Sequence, residues 1–208
     1  MSKALKQHDS MQIELEDIGK KFGRGFIFRH LNKQIESGSR LGIVGSNGSG
    51  KSTLLQIIAG LQIASEGLIH RQVEEKILYK HISFCSPALG LYEDFTLQEH
   101  VRFYSDLKPL SVTIDECMEL MQLENHRDKK IKHFSSGMKQ RVKLGLAIYA
   151  KTDALFLDEP CSHLDKKSEE WYANTLGRCS AERTIIVASN DHDSELLHMT
   201  ERWNFNLI

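Results

Sequence analysis

The run Gly45-Ser46-Asn47-Gly48-Ser49-Gly50-Lys51-Ser52 has the spacing G-x-x-x-x-G-K-[ST] of a phosphate-binding loop. Its chemistry depends on that spacing. The glycines allow successive backbone N–H groups to turn inward as an anion cradle. A helix that starts at Lys51, with Thr53 in its first turn, aims free N–H groups and its positive dipole end at the same phosphates. Lys51 then reaches the β- and γ-phosphates, and the Ser52 hydroxyl holds Mg2+. Far downstream, Ala154-Leu-Phe-Leu-Asp158-Glu159 is an apolar run that ends in adjacent carboxylates. Asp158 is placed to be the second Mg2+ contact. Glu159 follows it, where it can accept a proton from an attacking water.

Both motifs need strands that end at one place. Leu41-Gly-Ile-Val44 leads straight into the glycine cluster, and a helix rich in Leu and Ile runs from Lys51 to Ala59 and closes at Gly60. Upstream, Met11 to Asp17 alternates and puts Ile13 and Leu15 on one face. Phe26–Phe28 and Leu31–Ile35 are further strand candidates, set off by Gly23 and Gly25. Helices dominate from about Thr96 to Met121, where Thr96–Glu99 and Thr113–Glu116 both fit the capping box. The last third alternates strand (154–157), helix (167–176) and strand (184–188), the order of a parallel sheet with covering helices.

Composition sets the outer limits. The 208 residues suit one domain, and 27 Lys+Arg against 28 Asp+Glu leave a net charge of −1. That balance argues against a purely electrostatic nucleic-acid binder, so no nucleic acid is expected as a partner. No stretch approaches the roughly 18–20 apolar residues of a membrane span. The polar first residues lack the apolar core of a signal peptide. The expected setting is therefore cytoplasmic, with any membrane spans supplied by another chain. Cys85, Cys117, Cys161 and Cys179 form no C-x-x-C pair and read as buried or half-buried thiols.

Between the two motifs lies Phe134-Ser135-Ser136-Gly137-Met138-Lys-Gln-Arg141, and after them Ser162-His-Leu-Asp165. The order of phosphate loop, signature, acidic strand and this last segment resembles the ATP-binding subunit of ABC transporters, over about residues 11–208. The resemblance implies an α/β fold of P-loop NTPase type. A RecA-like parallel-sheet core would carry an N-terminal antiparallel β lobe and an inserted helical lobe at about 87–145, all within one domain spanning 1–208. It implies ATP and Mg2+ as ligands, and a head-to-tail homodimer. Ser135, Ser136 and Gly137 of one copy, with Asp165 nearby, would then face the ATP of the other. It also implies separate membrane-spanning permease subunits, engaged through the Ser86–Phe95 loop, and a peripheral position on the cytoplasmic face of a membrane. Within the family, the compactness and the signature resemble export-type subunits such as the haem-exporter ATPase of cytochrome c maturation. The aromatic that stacks on adenine in the family corresponds to Phe22, with Phe26 and Phe28 as rivals.

Two positions depart from the family pattern. Where a glutamine normally ends a strand before the helical lobe, Ser86 stands. Where a histidine normally follows the last core strand, Asn190 stands, with His192 two residues on as the alternative. A serine hydroxyl reaches less far than glutamine, and an asparagine amide carries no charge. Since Glu159 is present, a slowed ATPase is expected. The rival readings are an ATP-gated clamp that barely turns over and a soluble ABC ATPase acting on nucleic acid or ribosomes. Arg127, Lys129, Lys130, Lys132, Lys139, Arg141 and Lys143 crowd around the signature. They would attract phosphates or lipid headgroups, or else form a solvated face balanced by acids elsewhere.

Overall fold

The structure, a computed structural model, describes residues 11–23, 25–179 and 181–205. Its strands are β1 (Ile13–Phe22), β2 (Gly25–Ile35), β3 (Arg40–Val44), β4 (Glu66–Arg71), β5 (Ile82–Cys85), β6 (Ala154–Asp158), β7 (Thr184–Ser189) and β8 (Glu201–Asn204). Its helices are α1 (Lys51–Ile58), α2 (Leu78–His81), α3 (Leu97–Leu107), α4 (Ile114–Leu120), α5 (Ser136–Tyr149), α6 (Lys166–Gly177) and α7 (Asp193–Leu196).

Two sheets result. β2, β1 and β4 form an antiparallel lobe, and β5-β6-β7-β3-β8 form a parallel sheet. The separate strand candidates at 26–28 and 31–35 merge into one strand, because an irregularity in the pairing absorbs the break between them. His30 (φ +56°) and Asp17 (φ +53°) sit there in left-handed conformation. The Asn32 side chain accepts the Asp17 N–H at 2.9 Å, and His30 Nδ1 lies 2.8 Å from the Asp17 carboxylate.

Alternation along the parallel strands feeds two cores. Phe156, Ile186 and Ala188 pack with Ile43, Leu54, Leu55 and Ile58, beneath Ile13, Leu15 and Phe28 of the antiparallel lobe. Leu155, Leu157, Ile185 and Val187 face the other way, onto Leu144, Ile148, Trp171 and Tyr172 of α5 and α6. A third core, with Leu97, Val101, Met118, Met121 and Phe134, belongs to the helical lobe. α5 serves both, giving Val142 and Leu146 to the lobe and Leu144 and Ala147 to the sheet. Both capping boxes form: Thr96 and Thr113 accept the N–H of Glu99 and Glu116, each at 3.2 Å, and each glutamate returns the bond. The buried Arg183 guanidinium donates to Ser83 Oγ (2.7 Å), Thr152 Oγ1 (2.6 Å) and Ala147 O (3.0 Å), pinning the end of α5 to the sheet.

The basic stretch is a solvated, acid-balanced face. Arg127 pairs with Asp115 at 2.8 Å, Lys132 with Asp94 at 2.9 Å and Lys139 with Glu93 at 2.5 Å. The four cysteines are free thiols, all buried except the partly exposed Cys179. Among the described residues no helix is long and apolar enough to cross a membrane.

Candidate active site

Parallel pairing decides what meets at the C-terminal edge of the larger sheet. Val44 lies opposite Ser189, Asp158 opposite Ala188, and Cys85 opposite Leu157. The loops that leave β3, β5, β6 and β7 therefore start side by side. They carry, in turn, the phosphate loop, Ser86, Glu159 and Asn190.

The phosphate loop closes on itself. Gly48 and Gly50 take φ of +81° and +96°, conformations that a side chain would strain. A Cβ on Gly50 would also meet Ile27 Cγ2 at 2.5 Å, and one on Gly45 would meet the Phe205 carbonyl at 2.5 Å. The first bond at the start of α1 runs from Leu54 N–H to Gly50 O at 2.8 Å. The N–H groups of Lys51, Ser52 and Thr53 consequently have no acceptor within the helix. Ser46 and Asn47 are exposed at the loop tip. Ser49 Oγ is buried with no hydrogen-bond partner. Lys51 is 4% exposed, and its ammonium donates to Ser46 O at 2.8 Å. Burial lowers its pKa, opposed by the charges of Glu159, Asp158 and Glu195. A buried cation, an orphaned hydroxyl and free helical N–H groups fit a phosphate chain.

Beside the loop, Ser52 Oγ donates to Asp158 Oδ1 at 2.8 Å. The hydroxyl and the carboxylate form the oxygen pair that a Mg2+ ion needs when phosphates complete its shell. Asp158 is buried, and desolvation raises its pKa against the bond from Ser52. Glu159 follows at φ +42°, with its N–H on Ala188 O at 2.9 Å. The Asn190 amide donates to Glu159 Oε1 at 3.0 Å. His192 turns elsewhere: its Nε2 lies 3.6 Å from Glu169. Of the two candidates beyond β7, then, Asn190 is the one brought to Glu159. Ser86 is buried directly after β5, one step past the residue that pairs with Leu157.

A second surface gathers the signature. Ser135 Oγ caps α5 by accepting Met138 N–H at 3.2 Å, and Ser136 begins the helix, exposed. A Cβ on Gly137 would stand 3.2 Å from His163 O. Gln140 Nε2 donates to Pro160 O at 2.9 Å, which ties the 160–165 turn to α5. Asp165 caps α6 through Ser168 N–H at 2.9 Å, and the Ser168 bonds hold its carboxyl below the usual range. Among the aromatic candidates, Phe28 is buried against Phe205 and Phe26 is covered by the Arg29 guanidinium at 4.3 Å. Phe22 is 55% exposed at the end of β1, with the Lys20 ammonium 5.0 Å from its ring.

Residues 28–162 match the family model described as ABC transporter. The chain belongs to the ABC transporter family. Among named relatives, a sulfate/thiosulfate import ATP-binding protein, CysA, of Mesostigma viride is 32% identical over 88% of this chain. The chain spans 56% of that relative's length. The uncharacterized ABC transporter ATP-binding protein YybJ of Bacillus subtilis (strain 168) is 30% identical, over 91% of this chain and 89% of its own length. The fold is that of ABC cassettes. The dimeric bacterial cassette MJ0796 superposes with a TM-score of 0.79 at 23% identity, covering 94% of this chain and 96% of its own. A bacterial Atm1-family ABC exporter with ATP bound gives 0.82 at 20% identity, covering 97% of this chain and 39% of its own. Glu195, a buried carboxylate close to the acidic strand end, lies in no motif, and nothing in the sequence around it signals a role at the site.

Proposed function

We propose that this chain is the ATP-binding and ATP-hydrolysing subunit of an ABC transporter, a single ATP-binding domain spanning 1–208 with its helical lobe at about 87–145. The observation that carries the reading is the convergence of Ser52, Asp158, Glu159 and Asn190 through two hydrogen bonds, 2.8 and 3.0 Å long. The backbone of Gly45–Thr53 and the Lys51 ammonium hold the phosphates, and the exposed face of Phe22 stacks on the base. Ser52 and Asp158 hold Mg2+, which when bound neutralises charge on the phosphates. Glu159, oriented by the Asn190 amide, accepts the proton of the attacking water.

Ser86 and Asn190 stand where the family has glutamine and histidine. A neutral hydrogen bond contributes about 0.5–1.5 kcal/mol where a charged one contributes about 1.5–3. That difference amounts to roughly tenfold or less in rate. Loss of a general base removes about 10²–10⁴, so a chain that retains Glu159 is a slow enzyme. Ser135, Ser136, Gly137 and Asp165 face the nucleotide of a second copy in a head-to-tail homodimer.

The groove between β5 and α3 supports docking of a membrane-spanning partner on the cytoplasmic side. It encloses about 440 Å³ and is lined by Phe84, Leu91, His100, Phe103 and Tyr104. Leu89, Tyr92 and Leu107 are exposed at its rim. Phosphate release by the purified protein with Mg2+ and ATP tests the enzyme. A rate in Glu159→Gln equal to wild type would favour an ATP-gated clamp. Recovery of a polytopic membrane protein with a tagged copy tests the partner; cytosolic recovery with RNA attached would overturn it.

A further inference from the structure

Glu195 lies on α7, 4% exposed, and its carboxylate bridges two catalytic segments. One oxygen, Oε1, accepts the Cys161 N–H at 2.9 Å. The Ser189 hydroxyl also hydrogen-bonds to this carboxylate. Cys161 is two residues past Glu159, and Ser189 immediately precedes Asn190. Glu195 thus joins the turn that carries Glu159 to the segment that carries Asn190.

Its own base is fixed. Ser194 Oγ donates to Glu169 on α6 at 3.0 Å, and the Tyr172 hydroxyl donates to the Glu195 carbonyl at 3.4 Å. The turn is held from its other side by the Gln140 bond to Pro160 O. Both bridged segments contain a non-glycine residue at positive φ, Glu159 at +42° and Asp191 at +67°. Such conformations persist only where the surroundings over-determine them. Burial pushes the Glu195 carboxyl up, opposed by the Ser189 and Cys161 bonds. A buried carboxylate that only filled space would be replaced without loss by an apolar side chain.

We propose that Glu195 is a positioning residue for ATP hydrolysis, setting the spacing between the Glu159–Cys161 turn and the Ser189–Asn190 segment so that the Asn190 amide stays on Glu159. The inference rests on the ATPase reading above. Glutamine at this position keeps both acceptor bonds and alanine removes them, so the pair of variants separates a role in alignment from a role in folding alone.

The test compares wild type, Glu195→Ala and Glu195→Gln for kcat, KM for ATP and Tm. Each is made alone and in an Asn190→Ala background. Expected is a fall in kcat of about fivefold to tenfold in Glu195→Ala with KM within about twofold, and recovery to within about twofold in Glu195→Gln. In the Asn190→Ala background, Glu195→Ala should cost nothing further, since its effect passes through that amide. Amide exchange at Cys161 should quicken in Glu195→Ala and not in Glu195→Gln, independently of turnover. Equal factors in both backgrounds would overturn the proposal, as would an unchanged kcat or a loss that merely follows Tm. Absence of hydrolysis in wild type would instead refute the ATPase reading itself, and this inference with it.

Discussion

Removing the amide that faces Glu159 should slow the enzyme modestly, and only while Glu159 is a carboxylate. Asn190→Ala deletes a 3.0 Å bond from a neutral donor to a charged acceptor. Bonds to charged groups contribute about 1.5–3 kcal/mol when shielded. Asn190 is exposed and Glu159 only half-buried, so water competes for both ends. About 1 kcal/mol remains, or roughly fivefold in kcat. Glu159→Gln should lower kcat by about 10²–10⁴, because it removes the proton acceptor. The two effects should not multiply: Asn190→Ala in the Glu159→Gln background should change kcat by less than about twofold. The assay is phosphate release at saturating ATP and Mg2+, with single-turnover measurements to isolate hydrolysis from product release. A full fivefold loss in the Glu159→Gln background would show that the amide acts on the phosphates and not on Glu159. Asn190→His should raise kcat by about tenfold or less, since a protonated imidazole is a stronger donor.

His192→Ala should leave turnover unchanged, because its ring is held toward Glu169; a large loss would move the switch position to that residue. Asp158→Asn should raise the Tm of the metal-free protein at pH 7 while abolishing Mg2+-dependent hydrolysis. The folded carboxyl titrates above its usual 3.8, so its charged form opposes folding. That advantage should fade as pH falls through the folded pKa toward 3.8, in melts run with a chelator. Lys108 donates to the Ile82 carbonyl, and burial pushes its pKa down to about 8. Its charge opposes folding fully below that value, and the penalty is relieved as pH rises from about 8 to 10.5. Wild type should therefore gain stability relative to Lys108→Met across that window, measured by denaturant midpoint; a flat difference would refute the shift. Gly50→Ala should destabilise the fold by at least about 1–2 kcal/mol, the usual penalty of a side chain at positive φ. It should also weaken nucleotide binding, read by Tm and by titration with Mg2+ and ATP.

Elements written in short-range chemistry are legible in the amino-acid sequence. The capping boxes at Thr96 and Thr113 need only a partner three residues away, and both form. The pairing of the basic stretch is not legible there, because Glu93, Asp94 and Asp115 reach it through the fold of the helical lobe. Nor do β4 and β8 announce themselves. Each is an edge strand with mixed exposure, so neither shows the alternation that marks a half-buried strand. Glu195 has no motif around it, and its partners are Cys161 and Ser189, which a linear reading does not connect.

Local chemistry is enough to specify the phosphate loop, the acidic strand end and the order of motifs that marks the family. Those depend on backbone preferences and charges that a few neighbouring residues settle, such as glycines at positive φ just before a helix. The choice between Asn190 and His192, two positions apart in the chain, is made by the assembled fold. Asp191, at φ +67°, reverses the backbone between them. One side chain then faces Glu159 at the end of β6 and the other faces Glu169 of α6. Those carboxylates become neighbours of the end of β7 only when the parallel sheet and its covering helix come together.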